Sequence, residues 1–220
     1  MKRLLVLALV LAACAPSPRA LTTGEAERLA LVRFSNYSTG VTGFTAAVPS
    51  AGGKLLLDGR VDFVNHLGYA GMQTEGRSDE FSRGLLQWNL KRLAYAMTDA
   101  TKPVEPLPQN GWQVRDLQEK GSELDGALRL LVNLGADRPD NAQLLLQSSA
   151  RWLRTDRYED VEVDVLEGPG QNGKDSRLRY WVDADGKLRR LEARLGGQED
   201  FAIFDFTGSG APLPIIPPLR

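Results

Sequence analysis

Arg179-Tyr180-Trp181-Val182-Asp183-Ala184-Asp185-Gly186-Lys187-Leu188-Arg189-Arg190-Leu191-Glu192-Ala193 is the stretch on which the architecture turns. Two runs, Leu178 to Val182 and Leu188 to Leu195, flank Asp183-Ala184-Asp185-Gly186. An Asp-Gly pair between such runs is a strong β-hairpin signal, because the tight turn needs a residue at ease with positive φ. Just upstream, Val161, Val163 and Val165 alternate with Glu162, Asp164 and Leu166, the clearest period-two strand in the chain. Just downstream, Phe201 to Phe206 reads as a final strand before Gly208-Ser209-Gly210.

The N-terminal half supplies more strands behind one helix. Thr22-x-x-Glu25 has the form of a capping box, and Ala26, Leu29, Ala30, Arg33, Phe34 and Tyr37 follow at helical spacing until Ser38-Thr39-Gly40. Val41 to Val48 and Lys54 to Asn65 read as strands split by Pro49-Ser50-Ala51-Gly52-Gly53. In the second, Leu55, Leu57, Val61 and Phe63 are expected on one face, and Arg60, Asp62 and Val64 on the other. Leu67 to Thr74 is the next strand candidate. Gly84 to Met97 fits both periods and leans to strand, with a parity switch at Lys91-Arg92.

Past the Pro-rich stretch 103–108, Ser122 is a candidate cap for a helix from about Leu124 to Leu134. Arg138-Pro139-Asp140-Asn141 then ends one element and caps another. Leu144, Leu145, Ser148 and Trp152 suggest a helix over Ala142 to Arg154. The expected fold class is α+β: an antiparallel sheet with helices packed on it.

The first residues carry an address. Lys2 and Arg3 precede the apolar run Leu4 to Leu11, and Leu11-Ala12-Ala13-Cys14 closes it with small residues before a cysteine. The run is too short to span a bilayer and has the layout of a secretory signal. Leu-Ala-Ala-Cys resembles the lipobox of bacterial lipoproteins, in which the thiol takes a diacylglycerol and becomes the mature N-terminus. Two or three acyl chains, at roughly 0.8 kcal/mol per buried methylene, hold a protein stably where one does not. Cys14 is the only cysteine, so no disulfide partner competes for it. The expectation is a leader over 1–13, a lipidated tether over 14–21, one domain over 22–210 and a Pro-rich tail over 211–220. It places the protein at the extracytoplasmic face of the cell membrane, bearing palmitate or a similar acyl chain.

Removing Lys2 and Arg3 with the leader lowers the 27 Lys and Arg residues by two, against 28 Asp and Glu, and takes the net charge from -1 to -3. A mildly acidic chain argues against nucleic acid as a partner and against a polybasic membrane face. Several stretches imitate catalytic or metal motifs and fail on chemistry. Gly168 to Asp175 nearly matches the phosphate-binding GxxxxGK[ST], but Asp175 stands where a hydroxyl is needed and a strand follows where a helix is needed. Asp183-Ala184-Asp185-Gly186 begins like a calcium loop, but Arg194 occupies the position of the bidentate glutamate. His66 is the only histidine, and no ligand spacing or nucleophile turn accompanies it. Glu159, Asp160, Glu162 and Asp164 read as a solvated strand face rather than paired catalytic carboxylates. No constellation implies an enzyme, a metal or another cofactor.

The order of elements (lipobox, N-terminal helix, antiparallel strands, helical insertion, returning strands), and most closely Arg179 to Ala193 followed by Asp200 to Phe206, resembles actinobacterial cell-envelope lipoproteins of the LppX/LprG type. The resemblance implies the LolA-like half-barrel: a curved antiparallel sheet with helices on its concave face and an apolar cavity for acyl chains. It implies a lipid or glycolipid as cargo and no catalysis. Phe63, Trp88, Trp112, Trp152, Trp181 and Phe204, with Phe206, are the large apolar side chains expected to face such a concavity, whether as cavity lining or as dry core. A scaffold lipoprotein with a closed core, acting on an envelope protein partner, is the alternative. An enzyme with an unfamiliar site comes third.

Overall fold

The protein is represented by a computed structural model that describes residues 17–79, 82–119, 121–170, 176–216 and 219. In chain order the elements are β1 (Arg19–Ala20), α1 (Thr23–Thr39), β2 (Val41–Val48), β3 (Leu55–Asp62), β4 (Leu67–Thr74), β5 (Arg83–Trp88), β6 (Arg92–Met97) and β7 (Gln113–Asp116). There follow α2 (Glu123–Val132), α3 (Ala142–Leu146), β8 (Arg151–Tyr158), β9 (Val161–Glu167), β10 (Leu178–Asp183), β11 (Leu188–Ala193) and β12 (Ala202–Ser209). All the strands join one 12-stranded sheet in the order β1-β8-β9-β10-β11-β12-β2-β3-β4-β5-β6-β7. Every pairing is antiparallel, and the sheet ends in open edges at β1 and β7 instead of closing into a barrel. This is the α+β class the patterning implies.

Local signals account for the helix boundaries. The Thr22 side chain accepts the Glu25 N–H while the Glu25 carboxylate accepts the Thr22 N–H at 2.8 Å, so both halves of the capping box form. Gly40, at φ 79°, ends α1. Ser122 caps α2, and Asn141 caps α3 through the N–H groups of Gln143 and Leu144.

At roughly 4.8 Å per strand, a flat sheet of 12 strands would be about 55 Å wide, more than α1 and α2 could cover. One continuous apolar core nevertheless joins these helices to strands from β9 through β12 and β2 to β6. The sheet therefore curls around its helices. Leu29 and Val32 of α1 and Leu128 and Leu131 of α2 meet Phe44, Leu57, Val61, Leu86, Leu191 and Phe204 there.

Three local readings are corrected. Gly84 to Met97 is two strands: Asn89 accepts the N–H groups of Lys91 and Arg92, and the expected parity switch is this hairpin turn. The helix expected over Ala142 to Arg154 stops at Leu146, because Ser148 turns the chain through the Leu145 carbonyl and the Ala150 N–H, and Arg151 enters the sheet between β1 and β9. In β9 the faces are exchanged: Val163 and Val165 pack with Trp181 on the outer face, while Asp164 turns toward the helices and meets Arg28 of α1. A nearby helix arginine makes the inward carboxylate tolerable.

The outer face carries a strap of irregular chain. Gly71 admits it, since a Cβ there would lie 2.2 Å from the Thr101 carbonyl carbon. The buried Tyr69 hydroxyl donates to the Val104 carbonyl at 2.8 Å and accepts the Val104 N–H at 3.0 Å. The Pro-rich tail docks here as well: Gln87 donates to Pro214 O at 2.5 Å and accepts the Ile216 N–H at 2.8 Å. Ile216 and Leu219 pack with Ala94, Leu107 and Trp112.

Candidate functional site

On the helix side a cleft of about 1010 Å³ opens between α2 and the ends of β10 and β11. One wall is α2, which contributes Gly126, Arg129, Leu130 and Asn133. Their spacing of i, i+3, i+4 and i+7 puts them on one stripe, beside the stripe of Ala127, Leu128 and Leu131 that enters the core. The other wall comes from two strand connections: Pro169, Ser176 and Arg177 before β10 with Leu178 at its start, and Arg194 to Glu199 after β11.

Hydrogen bonds set this second wall. Arg177 donates through Nε to Arg194 O at 2.8 Å and through Nη2 to Gly196 O at 2.7 Å, and the Arg194 N–H returns to Arg177 O at 2.9 Å. Arg194 Nε donates to Glu199 O at 3.1 Å. The guanidinium groups of Arg179 and Arg194 lie over the ring of Phe201, at 4.4 and 4.5 Å from its centroid. Gln198 donates to Glu123 Oε1 at 2.9 Å and so ties the β11–β12 connection to the first turn of α2. This hydrogen bond, with one from its own backbone N–H, holds the Glu123 carboxyl below its ordinary value. The cleft is thus apolar at Leu130, Leu178, Leu195 and Pro169, and cationic at Arg129, Arg177 and Arg194.

The six aromatic residues picked from sequence do not line it. Phe63, Trp88 and Phe204 are 0% exposed and fill the main core. Trp88 donates to Leu128 O at 2.9 Å, meets Phe44 edge-on at 6.3 Å, and covers Gly68 so closely that a Cβ there would lie 2.1 Å from the ring. Trp152 sits at the β1 edge, donating to Asp164 Oδ1 at 2.8 Å beneath the Arg19 guanidinium. The other two belong to the outer face: Trp181 beside Arg154 and Arg190, and Trp112 under the tail with its N–H on Pro108 O at 2.8 Å. The expectation that all six look into one concavity is corrected for Trp181, whose position on β10 points outward, and for Trp112, which precedes β7 and packs against Ile216 and Leu219 of the tail. Cys14 lies outside the described residues, as do Gly173, Lys174 and Asp175 of the phosphate-loop imitation.

The cleft residues escaped the sequence reading for a definite reason. Arg-Leu recurs at Arg129-Leu130, Arg177-Leu178 and Arg194-Leu195, but also at Arg28-Leu29, Arg92-Leu93 and Arg190-Leu191, away from the cleft. The pair by itself therefore discriminates nothing. Other candidates have structural work. His66 Nδ1 lies 2.6 Å from Val132 O in the β3–β4 turn. The Asp183 carboxylate accepts the N–H groups of Asp185 and Lys187 and two from Arg189, which uses it up within its own hairpin. A second groove, about 410 Å³, opens on the outer face, but its cations are paired, Arg190 with Asp205 at 2.6 Å and Lys102 with Asp58 at 3.2 Å.

No protein-family model and no curated protein matches the chain. Among solved structures it is similar to an uncharacterized conserved protein from Thermus thermophilus, at 11% identity over 82% of this chain and 85% of that one, with a TM-score of 0.42. It is also similar to a LolA superfamily protein from Nitrosomonas europaea, at 12% identity over 89% and 96%, with a TM-score of 0.31. A third is a DUF1329 family protein from Desulfovibrio piger, at 13% identity over 83% and 90%, with a TM-score of 0.28.

Proposed function

We propose that the protein is a non-catalytic, lipid-anchored carrier that holds a lipid or glycolipid in the cleft between α2 and the β10 and β11 ends. The finer reading is the LppX/LprG branch of LolA-like envelope lipoproteins. The observation that carries the proposal is the cleft itself, about 1010 Å³ with Leu130, Leu178, Leu195 and Pro169 among its lining, within reach of the roughly 300–1,000 Å³ usual for small-molecule sites. Its position suits an anchored carrier. Arg19 is held in the sheet by β8 and stands five positions after Cys14, a reach of at most about 18 Å. Lipid on Cys14 would keep the domain against the outer surface of the membrane. Mass spectrometry of an organic extract of the purified protein tests the carrier reading, together with binding of a labelled acyl lipid to wild type and to Leu130→Asp. A co-purifying amphiphile and weakened binding by the variant are expected. The anchor is tested separately by Cys14→Ala, which should move the protein to the soluble fraction with its fold intact.

A second reading is favoured by the packing elsewhere on the concave side. Phe63, Trp88 and Phe204 are fully buried in the main core at the centre of the sheet, as in a scaffold with a closed core. No extracted amphiphile and no lipid binding would select this reading, with an envelope protein as the partner.

A further inference from the structure

Many of the arginines meet carboxylates: Arg19 with Glu25, Arg28 with Asp164, Arg115 with Asp125, Arg189 with Asp183 and Arg190 with Asp205. Arg92, Arg151 and Arg157 lack such a pair among the described residues, and so do two arginines gathered at the cleft. Arg177 donates only to the carbonyls of Arg194 and Gly196, and Arg194 only to the carbonyl of Glu199, so neither has a carboxylate partner among the described residues. Arg129 reaches Glu119 at 3.5 Å, on a side chain 84% exposed, and its Nε is buried with no partner among the described residues. Among the described residues, Glu199 is the one acidic residue lining the cleft against these three cations.

A guanidinium has five N–H donors, and its planar fork matches the oxygens of a carboxylate or phosphate. Donors therefore remain uncommitted on Arg177 and Arg194. Like charges gathered beside apolar surface are relieved by an anion, and more strongly where water is partly excluded. Each of these arginines directly precedes a leucine that lines the same cleft. Charge and apolar surface are thus one residue apart on both walls.

Resting on the carrier reading above, we infer that the cargo is an amphiphile with an oxyanion headgroup, held by Arg129, Arg177 and Arg194 while its chain lies on Leu130, Leu178 and Leu195. The test uses the purified full-length protein and single-chain probes below micelle formation: dodecyl phosphate, the zwitterionic dodecyl phosphocholine, and inorganic phosphate. Dodecyl phosphate should bind at least about tenfold more tightly than dodecyl phosphocholine, a difference of about 1.4 kcal/mol. The double variant Arg177→Gln, Arg194→Gln should lose most of that preference, its affinity for dodecyl phosphate falling toward that for dodecyl phosphocholine. Because Arg177 and Arg194 also hold the β11–β12 connection, Arg129→Gln, on the partly exposed stripe of α2, provides an independent variant with a smaller loss of the same preference. Equal affinity for the two amphiphiles, or a preference that survives in all these variants, overturns the headgroup inference and leaves the carrier reading standing. Inorganic phosphate binding as tightly as dodecyl phosphate also overturns it, by making the arginines a free-anion site. If neither amphiphile binds, the carrier reading falls and this inference with it.

Discussion

Arg115 on the edge strand β7 grips Asp125 in the first turn of α2 through both Nη atoms, and the same carboxylate accepts the Gln118 N–H at 3.0 Å. Asp125 is 1% exposed. Burial pushes its carboxyl up, but the hydrogen bonds from Arg115 and Gln118 outweigh that and leave it below its ordinary value. Arg115→Ala would strand a buried charge, and a loss of about 2–3 kcal/mol is expected in urea unfolding. A loss below about 0.5 kcal/mol would show that the edge strand does not depend on this clamp.

The opposite edge repeats the device. Arg19 of β1 donates to both oxygens of Glu25, at 2.8 and 2.7 Å. That hydrogen bonding, aided by the Thr22 N–H, overrides burial and lowers the Glu25 carboxyl from 4.5 to about 2. A carboxyl whose folded value is depressed binds protons more readily when unfolded. Its stabilisation is therefore full above about pH 4.5 and is lost as the pH falls toward about 2. Urea midpoints measured from pH 6 to pH 2 should fall less steeply in Glu25→Gln than in wild type; parallel profiles would refute the assignment.

At the alkaline end Tyr180 is the sensor. Burial, with Asp140 nearby, raises its phenol from 10.0 to about 12. The unfolded phenol gives up its proton first, so its contribution is full below about pH 10 and is lost as the pH rises through about 12. Absorbance titration should show Tyr180→Phe matching wild type up to about pH 11, with the missing ionisation appearing only above it. A difference already present near pH 10 would contradict this assignment.

Gln87 is the clasp of the tail. Gln87→Leu would leave Pro214 O and the Ile216 N–H without their partner, at a cost of about 1–3 kcal/mol. Hydrogen exchange at Ile216 should accelerate by more than about tenfold, and Trp112 fluorescence should shift to the red as Ile216 and Leu219 lift off. Unchanged exchange would mean that the apolar contacts alone hold the tail.

Much of this fold was legible in short windows of sequence. The Asp183 to Gly186 hairpin, the Thr22–Glu25 capping box, the strands Val41–Val48 and Leu67–Thr74, and the Gly40 stop all depend on residues a few positions apart, where backbone preference and side-chain reach suffice. The errors came where partners are distant. Periodicity showed that β9 has two faces, but only Arg28 on α1 decided which of them turns inward. Trp88, Trp152 and Trp181 announced apolar surface, yet strand register separated core from outer face, since a shift of one residue exchanges every side chain. The cleft is the furthest case: three ordinary Arg-Leu pairs become a site because the curled sheet brings two strand connections against one stripe of α2. Such a juxtaposition belongs to no segment, and tertiary packing creates it.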